Sequence, residues 1–327
     1  MLVAAHYSAN PDLFARRLPA GFRPAGGEPA EMIPGFTHIQ DRRGRFLVRD
    51  DYLPFFEEEG LLAGEGRSGP GVPLAFPGGR GKLRRLRDGA GRRLVVRTYR
   101  HGGLFRALLR DLFCDSGRPG REVGLMEDFR RWGIPTLVPV AGLAHRIGPA
   151  LYRLRLVTEE EGGARDLVTF LQQERSHAQR RRVLTAAGRK VRLMHDHRVV
   201  HADLHPRNLL VTAGRKPRVL IIDLDRSRRV AKLGRSARVG ALSRLARFLW
   251  KNGLQGEPVS GRRDWFRFLK GYFGRFDRGA REELHQVGRR LVRQLALHRW
   301  VWQVESFFSG KERALVGEVP TTALGRK

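Results

Sequence analysis

The feature that most constrains this chain is a short polar loop, residues 201–208, between two apolar segments. The loop reads His-Ala-Asp-Leu-His-Pro-Arg-Asn and is followed by Leu209–Val211, while a second apolar segment, Val219–Ile222, ends at Asp223. A carboxylate, an amide five residues later and a carboxylate after the next strand are the groups that phosphoryl transfer from a magnesium-bound nucleotide requires. We predict that the chain folds so that these three groups meet.

Each of the three polar side chains has a predicted catalytic role. Asp203 is expected to be the general base that accepts the proton of an acceptor hydroxyl. Asn208 and Asp223 are expected to be the Mg²⁺ ligands, with Asp223 as the principal carboxylate. A polar loop between strands that contains these residue types by chance is the alternative. It is weakened because both halves of the pattern occur in order, each beside a strand-like segment.

This order of residues is typical of the protein-kinase-like phosphotransferases. The similarity implies a bilobal α+β fold with an antiparallel-sheet N-lobe and an α-rich C-lobe, and it implies ATP and Mg²⁺ as cofactors. We place the N-lobe at residues 76–157 and the C-lobe, with its catalytic and metal loops, at residues 158–327. Residues 1–75 are rich in Pro and Gly and are interpreted as an irregular extension that packs on the N-lobe.

Composition limits the possible partners more than the fold. The chain has 327 residues, of which 41% are hydrophobic, so it can bury a sizeable core. Its 63 Lys and Arg against 33 Asp and Glu give a formal net charge of +30. Such an excess favours nucleic acid, an anionic membrane surface or an acidic substrate as partner.

The cysteine count and the apolar segments indicate where the chain works. Cys114 is the only cysteine, so no intrachain disulfide can form, which fits a reducing compartment. The first residues have neither a basic region nor a long apolar core and are not expected to form a signal peptide. No apolar run approaches the ~18 residues that a membrane span needs.

A glycine-rich segment ahead of two predicted strands is the candidate phosphate loop. Gly79 and Gly81 would let backbone N–H groups approach the phosphate oxygens of the nucleotide. The strands are expected up to Arg87 and over residues 94–99, with a turn between them at residues 88–91. An ordinary exposed glycine turn is the alternative.

The second of these strands carries Arg97, where kinases place a lysine that holds the nucleotide phosphates. Arginine supplies the charge and a bidentate fork, but it is not equivalent to lysine. The partner of Arg97 is expected on a helix over residues 120–132, with Glu122 as first choice and Glu127 as second. A solvated strand arginine and a surface glutamate are the simpler interpretations.

The remaining segments are mostly helical. An amphipathic helix is predicted over residues 104–113, which either packs on the core or lies on a membrane interface. Strands are expected at 135–140 and 150–157, a hinge at 158–163 and helices at 166–173, 177–198, 239–250, 262–273 and 278–299. The short segment after Asp225 leaves no room for the peptide-docking platform of a protein kinase, which favours a small-molecule or sugar acceptor.

A family resemblance rests on four parts of the sequence: Tyr99-Arg-His-Gly-Gly103, Glu122, residues 201–208, and Ile222-Asp-Leu-Asp-Arg226. Together they resemble the lipopolysaccharide core kinases, most closely those that act on 3-deoxy-D-manno-octulosonic acid (Kdo). The resemblance extends from about residue 75 to about residue 255. It assigns the basic strand residue to Arg97 and the helix glutamate to Glu122.

The resemblance implies that the γ-phosphoryl group of ATP is transferred to the 4-hydroxyl of Kdo on a lipid A precursor. It implies a cytoplasmic protein that is peripheral on the cytoplasmic face of the inner membrane. The expected partners are this anionic glycolipid and the anionic membrane surface, which fit the net charge of +30. No obligate protein partner is inferred.

Three residues are weaker substrate candidates, and two other functions stay open. Arg100 and His205 are candidates for acceptor contact, and Asp225 is either a second metal ligand or an ion-pair partner of Arg207 or Arg226. His201 is expected to be structural. The first alternative function is a kinase for heptose or for an alcohol of the aminoglycoside type. The second is a nucleic-acid-binding pseudokinase, which the charge favours but the intact catalytic residues do not.

Overall fold

The computed structural model describes residues 33–63, 72–74, 83–101, 111–253 and 262–309, in two compact units. The first unit comprises the described residues up to Asp166 together with His201–Asp203 and Asn208–Arg229. The second comprises Leu167–Val200, Leu204–Arg207 and the described residues from Val230 onward. The predicted domain limits stay a prediction. The two units do not follow those limits, because the first unit contains His201–Asp203 and Asn208–Arg229 in addition to the large sheet.

The first unit is built on one large antiparallel sheet. Its order is β1-β2-β7-β8-β5-β4-β3, and β6 also pairs with β8. The strands are β1 (Phe36–Asp41), β2 (Gly44–Arg49), β3 (Val72–Leu74), β4 (Leu83–Arg87), β5 (Arg93–Thr98), β6 (Leu112–Phe113), β7 (Pro139–Gly148) and β8 (Leu151–Glu159). With the helices of the second unit, this sheet confirms the predicted α+β class.

The segment interpreted as an irregular extension contributes three strands to this sheet, β1, β2 and β3, so its described part is not irregular. β1 and β2 form a hairpin, and β2 pairs with β7 inside the sheet. Phe46 and Val48 alternate into a core that also contains Phe56 of α1 (Leu53–Glu58). Gly44 permits the pairing, since a Cβ there would lie 2.0 Å from the carbonyl oxygen of Ala144.

Helix α2 (Arg118–Arg131) covers part of the sheet and carries a buried carboxylate towards it. Pro119 lies in the first turn, where its missing N–H costs no hydrogen bond. The helix packs closely on β7, because a Cβ on Gly142 would lie 3.0 Å from the Pro119 backbone. Its buried residues include Glu122, Val123, Met126 and Phe129.

A small sheet holds the polar loop. Its order is β12-β11-β9, with β9 (Arg165–Asp166), β11 (Leu209–Val211) and β12 (Val219–Ile221). The predicted strand at 135–140 begins only at Pro139. The carbonyl oxygen of Pro135 accepts the N–H of Ile221, and the hydroxyl of Thr136 donates to the carbonyl oxygen of Ile221. Residues 135 and 136 therefore attach to β12 before β7 starts.

The second unit is α-rich, as predicted. Ser176 caps α4 by accepting the N–H of Gln179. α4 and α6 cross closely at glycines, since a Cβ on Gly188 would lie 2.1 Å from the carbonyl oxygen of Phe268. Its helices are α3 (Leu167–Gln173), α4 (His177–Asp196), α5 (Arg235–Gly253), α6 (Arg262–Phe273) and α7 (Arg278–Ser309). The two remaining short strands are β10 (Val199–Val200) and β13 (Arg228–Arg229).

The helices of the described residues are short or polar by the standard of membrane spans. In this part of the chain, no helix is both long enough and apolar enough to cross a bilayer.

Because His145 is buried, we predict that the free energy of unfolding falls in mild acid. Its Nε2 lies 3.0 Å from the carbonyl oxygen of Leu61, and burial, then the charge of Arg155, lowers the pKa of His145 to about 4. In the unfolded chain the pKa is about 6.5, so the unfolded state takes up the proton first as the pH falls. The stabilisation is complete above pH ~6.5, and about 2 kcal/mol is lost between pH 8 and pH 5.

The measurement is the free energy of unfolding in urea at both pH values. His145→Gln, which keeps a donor for Leu61 but does not titrate, should lose less stability on acidification than the parent. Exposed His285→Gln is the control and should follow the parent. An equal loss in the parent and in His145→Gln would contradict the prediction.

Candidate active site

The polar loop is fastened to the end of β12 by His201. This side chain is buried, and its Nδ1 accepts the N–H of Asp203 at 3.2 Å. The other ring nitrogen, Nε2, is then the protonated one and donates to the carbonyl oxygen of Ile222 at 3.0 Å. His201 is therefore structural, as expected, and it fixes the position of the Asp203 backbone N–H.

The three predicted catalytic residues lie around one end of the β11–β12 hairpin. Ile222 donates its N–H to the carbonyl oxygen of Asn208 at 3.0 Å. Asn208 therefore lies opposite Ile222 at the end of the hairpin, and Asp223 is the next residue after Ile222. Nδ2 of Asn208 donates to the carbonyl oxygen of Asp203 at 2.8 Å. That bond uses the amide nitrogen, so the amide oxygen of Asn208 takes no part in it. The Asp203 residue itself is exposed.

The turn after β12 has an unusual backbone that is anchored at several points. Asp223 and Arg226 both have φ of 59°, in the left-handed region that non-glycine residues seldom adopt. Between them, Leu224 is buried and accepts the N–H of Ser227 at 2.8 Å. The Ser227 hydroxyl in turn accepts the N–H of Ala202 at 3.3 Å. These contacts hold the two carboxylates of the turn beside the polar loop.

Arg97 connects the turn to helix α2. One guanidinium nitrogen donates to Asp223 at 2.6 Å, and another donates to both carboxylate oxygens of Glu122 at 2.6 Å. Burial opposes the charge of Arg97, but the nearby carboxylates outweigh it and raise the pKa, so Arg97 stays a cation. The geometry brings Arg97 and Glu122 together as the sequence predicted and adds a direct contact with Asp223.

Tyr99 completes the surroundings of Glu122. Its hydroxyl donates to Glu122, and Arg97 lies over its ring at 4.8 Å from the centroid. Burial, followed by the charge of Glu122, raises the pKa of Tyr99 well above its usual value. The hydroxyl therefore stays protonated and remains a donor.

Asp225 has a partner that the sequence did not predict. Arg118 in the first turn of α2 donates from Nε to one Asp225 oxygen at 2.6 Å and from a terminal nitrogen to the other. The expected partners were Arg207 or Arg226. A signal was present in the sequence, since Arg118 lies four residues before Glu122 and therefore on the same helix face.

The remaining candidate residues are dispersed. Glu127 pairs with Arg130 of its own helix at 3.3 Å, and Arg100 is exposed after β5. His205 belongs to the second unit, where its ring stacks on Phe248 at 5.1 Å. The candidate phosphate-loop residues Gly79 and Gly81 lie outside the described residues.

The donor set fits Mg²⁺ held jointly with nucleotide phosphates. No cluster of three or more His, Cys, Asp or Glu side chains suited to a metal exists among the described residues. Mg²⁺ needs none, because it is usually held by one or two carboxylates, substrate phosphates and waters. Arg97 engages one oxygen of Asp223, which leaves the other, with the amide oxygen of Asn208, as ligands.

Comparisons with known proteins agree with this geometry. A model of the lipopolysaccharide kinase (Kdo/WaaP) family matches residues 73–272. A 3-deoxy-D-manno-octulosonic acid kinase of Photobacterium profundum is 35% identical over 184 residues, which cover 55% of this chain and 74% of that protein. The kinase of the same name from Vibrio cholerae is 35% identical over 157 residues, 47% of this chain and 63% of that protein.

Solved structures were compared as well. One similar structure is described as WaaP in complex with acyl carrier protein, at 23% identity and a TM-score of 0.48. The match covers 73% of this chain and 92% of that one.

Proposed function

Because the chain belongs to the lipopolysaccharide kinase (Kdo/WaaP) family, we propose that it transfers the γ-phosphoryl group of ATP to the 4-hydroxyl of Kdo on a lipid A precursor. The observation that carries this proposal is the convergence of Asp203, Asn208 and Asp223 at one hairpin end, with Arg97 joining Asp223 to Glu122. The relatives named as Kdo kinases support the choice of acceptor.

In the proposed reaction, Asp203 accepts the proton of the acceptor hydroxyl as that oxygen attacks the γ-phosphorus. Its exposure leaves it accessible to a large glycolipid. Asn208 and Asp223 would hold Mg²⁺, which neutralises charge on the phosphate oxygens and orients them. Arg97 adds positive charge beside the same phosphates, held in place by Glu122.

The arginine at position 97 supports a kinase with an altered phosphate clamp. A guanidinium has five N–H donors, whereas a lysine ammonium has three. Here two carboxylates accept three hydrogen bonds from Arg97 and fix the plane of its guanidinium, as they could not with Lys. Arg97 therefore performs the pairing with the helix glutamate that the lysine role requires, which favours a kinase over a pseudokinase.

The charge balance supports an anionic acceptor. Kdo bears a carboxylate and the lipid A precursor bears phosphates, and the chain has a net charge of +30. A soluble cationic alcohol of the aminoglycoside type would instead call for an acidic pocket. A heptose of the inner core would belong to the same kind of anionic glycolipid, so the charge does not distinguish it from Kdo, and it is kept as the second candidate.

We further propose that the protein acts as a peripheral protein on the cytoplasmic face of the inner membrane. An α6 surface, formed by Arg263, Phe266, Lys270, Phe273 and Phe276, supports an anionic bilayer as partner. Phe266 is 55% exposed and its ring stacks on that of Phe276 at 5.4 Å. Arg263 and Lys270 form no ion pair among the described side chains. An exposed ring that is flanked by cations and backed by half-buried rings suits the interface of anionic lipids.

Binding to anionic vesicles is expected to weaken as salt is raised, because screening reduces the attraction of the basic side chains. Phe266→Ser is expected to weaken it about tenfold, since burial of the exposed part of a Phe side chain contributes roughly 1.5 kcal/mol. The measurement is sedimentation with vesicles containing phosphatidylglycerol. Ile147→Ser, which removes an exposed apolar side chain elsewhere, is the matched control and should bind like the parent.

Salt-insensitive binding would contradict this prediction. It would indicate apolar insertion instead, for which the predicted amphipathic segment 104–113 is the candidate. Most of that segment lies outside the described residues.

The deciding experiment is transfer of γ-³²P from Mg·ATP to a Kdo-bearing lipid A precursor, with heptosylated core and aminoglycosides as parallel acceptors. Label on the Kdo lipid, lost in Asp203→Asn, is the expected result. Label on another acceptor only would keep the kinase and change its substrate. The absence of label from every acceptor, in a folded protein, would overturn the proposal and favour a pseudokinase.

A further inference from the structure

Arg118 is a half-buried cation outside the residues that kinase chemistry requires. It lies in the first turn of α2, with its side chain 14% exposed, and it grips both oxygens of Asp225, which is 19% exposed. Its guanidinium also faces two aromatic rings, Tyr99 at 5.3 Å and Phe113 at 4.9 Å. The side chain is thus fixed from several directions, and Asp225 is fixed by it.

We propose that Arg118 is a positioning residue that attaches the Asp223–Asp225 turn to helix α2. The position of the metal carboxylate, Asp223, is then determined by the same helix that carries Glu122. This inference rests on the proposed function, because it assigns Asp223 to Mg²⁺.

Two parallel bridges connect α2 with the turn. Arg97 reaches Asp223 while it holds Glu122, and Arg118 reaches Asp225 from one helical turn before Glu122. The backbone contacts of the turn hold it to the polar loop, and a single ion pair at Asp223 would add only one contact between the turn and α2. A bidentate pair two residues later adds more, since its two parallel N–H···O bonds fix orientation as well as distance.

The bidentate contact also separates the two carboxylates of the turn by role. Both oxygens of Asp225 are taken by Arg118, whereas Arg97 takes only one oxygen of Asp223. Among the described residues, Asp223 therefore keeps one oxygen without an arginine contact, whereas both oxygens of Asp225 face the charge of Arg118. The positive φ of Asp223, 59°, is a backbone conformation that the flanking contacts must maintain.

The test compares Arg118→Met, Arg118→Lys, Asp225→Asn and the double variant Arg118→Met/Asp225→Asn with the parent. Calorimetry gives the dissociation constant for ATP with Mg²⁺ and with EDTA, at a temperature where thermal unfolding shows each variant folded. Arg121→Met is the matched control, because Arg121 is 65% exposed on the same helix and pairs with exposed Asp115.

Arg118→Met is expected to weaken Mg·ATP binding about tenfold or more while metal-free ATP binding changes little, since a misplaced turn removes metal coordination. The double variant should bind no more weakly than Arg118→Met, because both changes break one interaction. Arg118→Lys keeps the charge but loses the fork and should fall between parent and Arg118→Met. Arg121→Met should match the parent.

Three results would overturn the proposal. The first is a folded Arg118→Met with the parent's dissociation constant for Mg·ATP. The second is recovery of that constant in the double variant, which would mean that Arg118 only neutralises Asp225. The third applies if Arg118→Met does not fold: Arg118→Lys then binds Mg·ATP with the parent's dissociation constant. These readouts use nucleotide alone, so a failure to phosphorylate Kdo would count against the proposed function and not against Arg118.

Discussion

Asp203→Asn is expected to lower kcat for phosphoryl transfer by ~10²-fold or more, the usual scale for loss of a general base. Binding of Mg·ATP should persist in this variant. The reason is structural: Asp203 supports Asn208 through its main-chain carbonyl oxygen, and its N–H is held by His201. Asparagine keeps both contacts and removes only the basic carboxylate. The measurement is single-turnover transfer together with calorimetric titration of Mg·ATP.

Asp196→Asn is the matched control for this substitution. Asp196 is an exposed carboxylate at the end of α4 that pairs with Arg192 on its own helix, and its replacement should leave transfer unchanged. Near-normal turnover in Asp203→Asn would remove Asp203 from the role of base.

Asp223→Ala is expected to abolish Mg²⁺-dependent binding of ATP, a loss of ~10²-fold or more in affinity, because the principal metal carboxylate is removed. The fold should tolerate the change. Arg97 keeps its two contacts with Glu122, so no buried cation is left unpaired. Calorimetry with Mg²⁺ and with EDTA separates the metal-dependent part of binding from the rest.

Asp115→Ala provides the comparison, since it removes an exposed carboxylate that pairs with Arg121. It should bind Mg·ATP like the parent. Retained Mg·ATP affinity in Asp223→Ala would contradict the assignment and transfer the metal role to Asp225, despite the bidentate contact of that residue with Arg118.

The amino-acid sequence by itself determined the family, the enzyme class and the fold class. The spacing of Asp203, Asn208 and Asp223 predicted a phosphotransferase, and the match to the lipopolysaccharide kinase (Kdo/WaaP) family confirms that the chain is a kinase of this family. These conclusions were accessible because the signals are local. A loop motif needs fixed spacing, and an amphipathic helix such as α4 shows its period within a few turns.

The tertiary structure decided the contacts between residues far apart in the chain. Arg97 lies 126 positions from Asp223 in the sequence, and Arg118 lies 107 positions from Asp225. Neither contact can be predicted from such a separation. An Arg-rich chain also offers many equivalent partners for each carboxylate, and Asp225 pairs with Arg118 where Arg207 or Arg226 had been considered.

The same reason explains the missed strand β1 and the late start of β7. Whether a short segment joins a sheet depends on which edge lies beside it, and Pro135 attached to β12 instead of extending β7. Local sequence thus determined which chemical groups this chain provides. Only long-range packing and charge pairing decided which Arg holds which carboxylate, and hence which Asp is left for a metal.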